Sequence, residues 1–554
     1  MSGPVKVDVL VVGSGAAGLS AAVTAAMHGA SVMVAEKASV LGGTSAWSGG
    51  WLWIPRNPLA RAEGIDEAAD APLTYLQHEM GGEAADIRLQ TFLRYGPEMV
   101  EFFHQRTAVQ FLSGSAMPDF HPSPGAANGG RSVTAQPYDG RLLGDWLHRL
   151  RPPLETISLG GMGIAGGADM AHFFNATRSA LYAARRLLRH GWQRLRAGRG
   201  QHLVNGNALV ARLLRSALDA GVRFQLNAPV VRLLQGPRGV SGAVLRSDGG
   251  EIHVEAGAVV LACGGFPHDR QRLAQVVPHA AEGYGHFSAA PPDNQGEGIR
   301  LGESVGGQFD TSLRHPLAWA PVSRVTLASG QQLMFPHLVE RAKPGVIAVL
   351  PNGKRFVNEA DSYHDFIAAL LAAIPAGDTP QAWLLADRRA LRRYGLGHAR
   401  PFPFTPTAWL RTGYLQRGNT LAELAKQCAI DANALAETVE RFNHFASTGE
   451  DVDFHRGASA YNRAQGDHQV TLGPLREGPF YAVRILPGSL GTFSGLQTDE
   501  HARVLDEQQQ PIPGLYAIGN DMSSVMRGYY PSGGITLGPA MTFGYLVGKG
   551  LTKK

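Results

Sequence analysis

Residues 7–37 read VDVLVVGSGAAGLSAAVTAAMHGASVMVAEK. The apolar run Val7 to Val12 has the pattern of a strand buried on both faces. Gly13, Gly15 and Gly18 follow it at G-x-G-x-x-G spacing, and a small-residue helical stretch, Leu19 to His28, ends at Gly29. A second apolar strand, Ser31 to Ala35, runs into Glu36. The three glycines have distinct uses: a tight turn, a close approach of the backbone to a pyrophosphate, and close packing of helix on strand. The helix N-terminus offers free N–H groups and the positive end of a dipole to the phosphates. Glu36 is placed to bond ribose hydroxyls. This unit constrains the chain to an α/β architecture with a dinucleotide at its first turn. Glu36 alone does not separate one dinucleotide from another.

At 554 residues the chain exceeds what one core serves, so two domains are expected. It has only two cysteines, Cys263 and Cys428, which excludes a disulfide framework and points to a reducing, cytoplasmic compartment. Neither has a metal-ligand neighbourhood, so both are expected in the core and no metal is expected. No secretory or twin-arginine leader is expected ahead of the first strand, and no apolar run is long enough to span a bilayer. The net charge of +5 is concentrated locally: nine arginines and no acid lie between Met170 and Leu218. Residues 179–200 read as a basic amphipathic helix, with Leu181, Leu187, Leu188, Trp192 and Leu195 on one side and Arg185, Arg186, Arg189, Arg194 and Arg196 on the other. Such a helix is either a solvated face or a peripheral contact with the inner face of an anionic membrane. No nucleic-acid motif accompanies the charge, so no nucleic-acid partner is expected.

Further along, Thr44 to Pro58 is loop-like and carries Trp47, Trp51 and Trp53. Residues 65–108 read as helices, and Phe111 to Gly144 is too rich in Pro and Gly for long regular structure. A helix from His202 to Ala220 precedes short strands at Val222–Leu226, Val230–Leu234, Gly242–Arg246 and Ile252–Glu255. A buried strand follows, Ala256 to Gly265. Between about His286 and Leu472 the pattern changes: a helix opening near Asn294, a strand at Val346–Leu350, and helical segments at 364–374 and 421–447. Phe480–Leu486, Leu515–Ile518 and a helix from about Gly538 are expected to rejoin the first domain. The expected boundaries are 1–285, 286–474 and 475–554.

The loop Gly42-Gly43-Thr44-Ser45 and the C-terminal Gly514-Leu515-Tyr516-Ala517-Ile518-Gly519-Asn520-Asp521 resemble the opening and closing motifs of two-dinucleotide-binding-domain flavoproteins, which hold FAD. Gly353 to Glu359 resembles the G-x-R-F-x-N-E signature of the fumarate reductase/ketosteroid dehydrogenase flavoprotein family. The resemblance runs the length of the chain, through Arg131-Ser132, Asn205 to Leu209 and the closing YPSGGITLGPAMTFGYL. It implies a Rossmann-like, discontinuous FAD-binding domain with an inserted α+β catalytic, or capping, domain. It also implies a cofactor shell of Gly13, Gly15, Ala16, Ala17, Gly18, Glu36, Lys37, Gly42, Gly43, Thr44, Ser45, Ala262, Gly264, Gly519, Asn520, Asp521, Gly534, Ile535 and Leu537. No histidine stands in the flavin loop, so FAD is expected to be non-covalent.

Members of the family oxidise or reduce a carbon–carbon bond beside an activating group. Those acting on dicarboxylates need arginines, because guanidinium pairs bidentately with carboxylate. Here the matching positions hold Tyr363, Pro531 and Ser489-Leu490, which argues against fumarate or succinate. The replacements resemble the 3-ketosteroid dehydrogenases. By that resemblance Tyr530 and the Gly534 N–H bind the ketone oxygen, and Tyr363 takes the α-proton. Phenol's ordinary pKa is about 10, so Tyr363 needs neighbours that stabilise phenolate, or a relay. Ser532, two residues after Tyr530, resembles the Δ4-(5α) members, in which that hydroxyl joins the proton-abstracting pair. Phe120 falls where Δ1 members carry a further tyrosine. The expected reaction is desaturation of a 3-ketosteroid, favoured at C4–C5, with C1–C2 desaturation or reduction of another enoate or enone as alternatives. His364 is expected to start a helix or face solvent, and Arg355, Asn358 and Glu359 to be structural. A quinone fits as electron acceptor, no NAD(P) site is visible, and the oligomeric state is open.

Overall fold

The computed structural model describes residues 4–165, 176–327, 329–375 and 377–551. The start of the arginine-rich stretch, residues 170–175, lies outside the described residues. Strand Val5–Val12 is the centre of the first sheet, with Gly250–Leu261 parallel on one side and Val32–Ala35 parallel on the other. Arg223–Gln225 extends this sheet beyond Val32–Ala35, and Pro511–Ala517 extends it beyond Gly250–Leu261, both parallel. Leu10, Val11 and Val34 are fully buried, as strands covered on both faces require.

Helix Ala16–Met27 covers this sheet and packs against the C-terminal helix Leu537–Gly550. The approach is close: a Cβ at Gly544 would lie 2.6 Å from the Ala17 carbonyl oxygen. The chain thus returns its last helix onto its first, and the first sheet draws on both ends of the sequence. The strands expected at Ile252–Glu255 and Ala256–Gly265 are one strand, Gly250–Leu261. It takes the hairpin strand Gly239–Ser247 on one edge and Val5–Val12 on the other.

The second sheet is centred on Phe480–Thr492, which pairs antiparallel with Leu317–Thr326, Ala382–Ala386 and Leu415–Gly418. Phe480–Leu486, expected to rejoin the first sheet, therefore runs through the middle of the second. An apolar run shows that a strand is buried but not which sheet buries it. The chain pairs with the first sheet again only at Arg503–Leu505 and Pro511–Ala517. The expected helix 421–447 is two, Leu421–Cys428 and Ala432–Thr448. Ala429 breaks it with φ of 54°, and Asp431 caps the second helix by accepting from the Ala434 N–H at 2.9 Å.

The signature stretch Arg355 to Glu359 anchors this domain. Glu359 is fully buried and accepts from Arg355 Nε and Nη2 at 2.8 and 2.7 Å, Arg456 Nη1 at 3.0 Å and the Ala348 N–H at 3.0 Å. Burial works against its charge, but Arg355 and Arg456 hold its pKa down at about 2. Because the folded value lies below the ordinary one, this carboxylate stabilises the fold fully above about pH 4.5 and loses that contribution as pH falls towards about 2. Glu359→Gln leaves two buried guanidinium groups short of a counter-charge. It is expected to destabilise the protein by about 3–5 kcal/mol and to flatten the acid limb of its stability curve, both readable in urea melts at pH 7 and pH 4.

Candidate active site

The first turn forms a cradle for a pyrophosphate. Gly13 has φ of +107°, and a Cβ there would meet the Ala262 carbonyl oxygen at 2.3 Å, so only glycine fits. Gly15 precedes helix Ala16–Met27 without a side-chain cap, which leaves first-turn N–H groups for an anion. Ser45 Oγ accepts from the Ala16 N–H at 3.0 Å, and Glu36 Oε2 accepts from the Ser14 hydroxyl at 2.5 Å. Gly42 donates to Ser14 Oγ at 3.0 Å, which ties the double-glycine loop to the first turn. Asn294 Nδ2 bridges Thr44 Oγ1 and the Gly264 carbonyl at 3.0 and 3.1 Å, while Lys37 pairs with Glu297. Gly519 sits against Ala17, and Asn520, Ile535 and Thr536 share one cleft with Phe493. Gly43 opens the short helical turn Gly43–Trp47, and Leu537 is the first residue of the C-terminal helix.

Asp521 is anchored by the protein's own backbone. Its two oxygens accept from the Cys263 and Gly265 N–H groups at 2.6 and 3.0 Å. Burial raises its pKa to about 6 against those bonds. The carboxylate locks the C-terminal motif onto the end of strand Gly250–Leu261. The cradle as a whole fits FAD: glycines where a Cβ would collide, an uncapped helix start, and an acid at the end of the second strand.

Against this cradle the two domains bring two tyrosines together. Tyr363 opens helix Tyr363–Ala373, which Ser362 caps by accepting from the Asp365 N–H at 3.1 Å. Tyr530 lies on the closing segment of the chain. The Tyr363 hydroxyl donates to Tyr530 Oη at 2.8 Å, and the rings meet edge to face at 5.1 Å. Burial pushes the Tyr363 pKa well above its ordinary value, and its hydrogen bond to Tyr530 adds to the shift. Burial also raises Tyr530, to about 12, although the Tyr363 and Thr536 hydroxyls oppose the rise. Gly534, four residues on, has φ of +101°, and a Cβ there would strike the Trp53 N at 2.6 Å. The Gly534 carbonyl accepts from the Trp53 N–H at 3.0 Å. Its own N–H has no acceptor among the described residues, as an oxyanion donor requires.

The loop 114–131 holds the pair in register. Phe120 stacks on Tyr530 at 5.7 Å, meets Tyr363 edge-on at 5.6 Å and touches Tyr461 at 4.5 Å. Its N–H donates to the Pro531 carbonyl at 3.0 Å, which also accepts from Tyr75 Oη at 2.6 Å. Next to it, His121 bridges Glu79 at 2.5 Å and Asp365 at 2.8 Å. Burial opposes its charge, yet the two carboxylates raise its pKa to about 10. Behind Phe120, Asp119 accepts from Arg131 at 2.6 Å and from Trp53 Nε1 at 2.8 Å. The Pro/Gly-rich stretch is irregular, as expected, but it is held by buried charge.

Ser532 is buried, faces Asp119 and forms no hydrogen bond with either tyrosine, so the pair that forms is Tyr363–Tyr530 and not Tyr363–Ser532. His364 stands in the first turn of the helix, the first of the two positions expected for it, and is buried among Tyr530, His315 and Phe493. Burial lowers its pKa to about 3, so it is neutral. The sequence reading missed Tyr461, Trp319 and His286, which reach this region from distant parts of the second domain. No motif marks them.

Because Tyr363 donates to Tyr530, removing that donor strips the Tyr530 phenolate of a stabilising bond. Ultraviolet difference titration of Tyr363→Phe is expected to show the Tyr530 transition moved above its value of about 12, with no active-site phenolate below about pH 10. A new transition near neutral pH would overturn the assignment of the bond's direction.

The FAD binding domain family matches residues 8–537 of the chain. The 4-oxocyclohex-2-ene-1-carboxylate 5-dehydrogenase of Sinomonas cyclohexanicum is 39% identical over 99% of this chain and 94% of its own. The 3-oxosteroid 1-dehydrogenase of Mycolicibacterium smegmatis is 36% identical over 97% and 96%. The crystal structure of the 3-ketosteroid Δ1-dehydrogenase of Sterolibacterium denitrificans superposes with a TM-score of 0.89 at 36% identity and covers 99% of both chains. Cradle, tyrosine pair and relatives agree: the chain belongs to the FAD binding domain family and is an FAD-dependent oxidoreductase acting on CH–CH bonds.

Proposed function

We propose that the protein desaturates the bond α,β to the carbonyl of a cyclic ketone. The observation that carries this reading is the Tyr363–Tyr530 hydrogen bond beside the free Gly534 N–H. Tyr363 donates to Tyr530, which leaves the Tyr530 proton to donate to a ketone oxygen, joined by the Gly534 N–H. Neither phenol ionises near neutral pH, so the α-proton leaves by relay. Tyr363 Oη takes it and passes its own proton to Tyr530 Oη, and the Tyr530 proton goes to the ketone oxygen. The β-hydrogen leaves as hydride; as the enone forms the oxygen returns its proton to Tyr530, which passes the one it received back through Tyr363 to solvent, so that the substrate loses one hydride and one proton overall. FAD supplies the hydride acceptor, at N5. Arg341 lowers the Tyr363 pKa but burial outweighs it, which favours the relay over a standing phenolate.

Two classes of ring ketone come from the relatives: 3-oxosteroids and 4-oxocyclohexanecarboxylates. Within the steroid class, desaturation at C4–C5 rests on Ser532, whose hydroxyl makes no bond to the tyrosines. The relatives' names favour C1–C2. Anaerobic flavin bleaching tests the reading. Bleaching by a ring ketone with an enone product is expected, and no bleaching by 3-oxosteroids, cyclohexanones or their acids would end it. Tyr363→Phe and Tyr530→Phe are each expected to lower the bleaching rate by about 10²–10⁴-fold while FAD stays bound. A comparable loss in Ser532→Ala, with a 4-ene product, would restore the C4–C5 assignment.

A second feature bears on location. Helix Ala176–Ala197 turns His190 and Gln193 to the protein, bonded to the Gly160 carbonyl and the Gln201 N–H at 3.0 Å each. Both of the stripes foreseen in the sequence therefore face outward: Leu181, Leu188 and Leu195 are 84, 76 and 89% exposed, and Arg185, Arg189 and Arg196 are exposed beside them. No helix among the described residues is long and apolar enough to cross a membrane. We infer a peripheral contact of this helix with anionic lipid, from which a quinone could be reduced. Co-sedimentation with phosphatidylglycerol vesicles, lost in Leu188→Glu/Leu195→Glu, is the expected result; equal binding by the double variant would remove the inference.

A further inference from the structure

Two buried donors near the tyrosine pair have no acceptor. Trp319 Nε1 and His364 Nε2 are each buried and make no hydrogen bond among the described residues. The Trp319 backbone N–H donates to His364 Nδ1 at 3.2 Å, which fixes that nitrogen as acceptor and puts the ring proton on Nε2. Trp319 and His364 are therefore tied to each other, and the His364 ring lies 5.5 Å from that of Tyr530 and 5.9 Å from that of Phe493. A buried N–H without an acceptor carries an uncompensated desolvation cost, and an apolar ring skeleton packed against it would leave that cost in place.

The charge around these donors suits an anion. His279, His286 and His315 stand 5.9, 5.5 and 6.4 Å from Trp319, ring to ring. Burial holds all three below the ordinary histidine pKa, to about 4 for His279, so they are neutral donors or acceptors. Arg314 lies over the Tyr529 ring at 5.0 Å, forms no ion pair among the described residues, and its field reaches His315 and His364. The nearest carboxylate, Asp365, is taken up by His121 and Ser362.

We infer that Trp319 Nε1–H and His364 Nε2–H form a subsite beside the tyrosine pair that binds a carboxylate carried by the ring ketone. The inference rests on the desaturase reading and selects the oxo-acid over the steroid within it. A ketone oxygen held by Tyr530 and a carboxylate held by these donors fix a small ring at two points. That positions its α-hydrogen at Tyr363 without the extended apolar contact a steroid would need.

The test compares 4-oxocyclohexanecarboxylate with its methyl ester on the FAD-loaded enzyme. The acid is expected to exceed the ester in kcat/KM by about 10-fold or more, as hydrogen bonds from a buried donor pair to a carboxylate are stronger than those to a neutral ester carbonyl. Trp319→Phe keeps the ring and removes the N–H. It is expected to shrink the acid-to-ester ratio by about 10-fold, chiefly through KM for the acid. His364→Phe provides the same comparison independently. Binding of cyclohexanecarboxylate, which has no ketone to react, is expected to perturb the flavin spectrum and to weaken by a similar factor in both variants. Equal use of acid and ester by the unaltered enzyme, or a ratio intact in both variants, overturns the subsite. Turnover of 3-oxosteroids with none of either cyclohexanone overturns it too, while the desaturase reading stands. Failure of every ring ketone to bleach the flavin overturns both.

Discussion

Two hydroxyls 167 positions apart in the chain meet at 2.8 Å, and much of the architecture serves that contact. Tyr363 belongs to the inserted domain and Tyr530 to the segment that closes the first. A bond of this length tolerates little error. It is set from three directions: Ser362 caps the helix that Tyr363 begins, the Pro531 carbonyl is gripped by Tyr75 and the Phe120 N–H, and Phe120 fills the angle between the two rings. His121 links the same loop to the tyrosine helix through Asp365. A loop that looks unstructured in sequence thus acts as the strut between domains.

The chemistry follows from what surrounds the pair. Desolvation raises both phenols, so a phenolate is too costly to hold at rest. A chain of hydroxyls can still move protons without separating charge. The family's carboxylate-binding arginines are absent from the matched positions, and neutral imidazoles and an indole crowd the neighbourhood instead. Neutral donors bind an anion less tightly than guanidinium does, but they need no counter-ion when the site is empty of substrate.

The cofactor cradle was legible in the sequence because its constraint is local. A Cβ at Gly18 collides with the Gly13 carbonyl oxygen at 2.1 Å, within the same turn, so the spacing itself carries the information. The Tyr363, Tyr530 and Gly534 positions were legible by resemblance, as was the structural part played by Arg355 and Glu359. The direction of Ser532 was not legible, because a hydroxyl two residues from a tyrosine can face either side of a turn, and here it faces Asp119. The burial of His364 was not legible either, because it depends on which strands cover a helix start, and those strands come from elsewhere in the chain.

The sequence by itself determined the nucleotide-binding unit, the apolar strands that must be buried, and the residue types available for proton transfer. Periodicity and steric exclusion act over a few residues and need no knowledge of partners. Only the tertiary structure decided which sheet receives Phe480–Thr492, which hydroxyl Tyr363 meets, and that Asp521 locks backbone in place. It also decided that Trp319 and His364 lie together with unanswered donors. Each of these depends on distances between segments well separated in the chain, from 45 residues for Trp319 and His364 to 258 for Cys263 and Asp521, set by packing and by the need to satisfy buried polar groups.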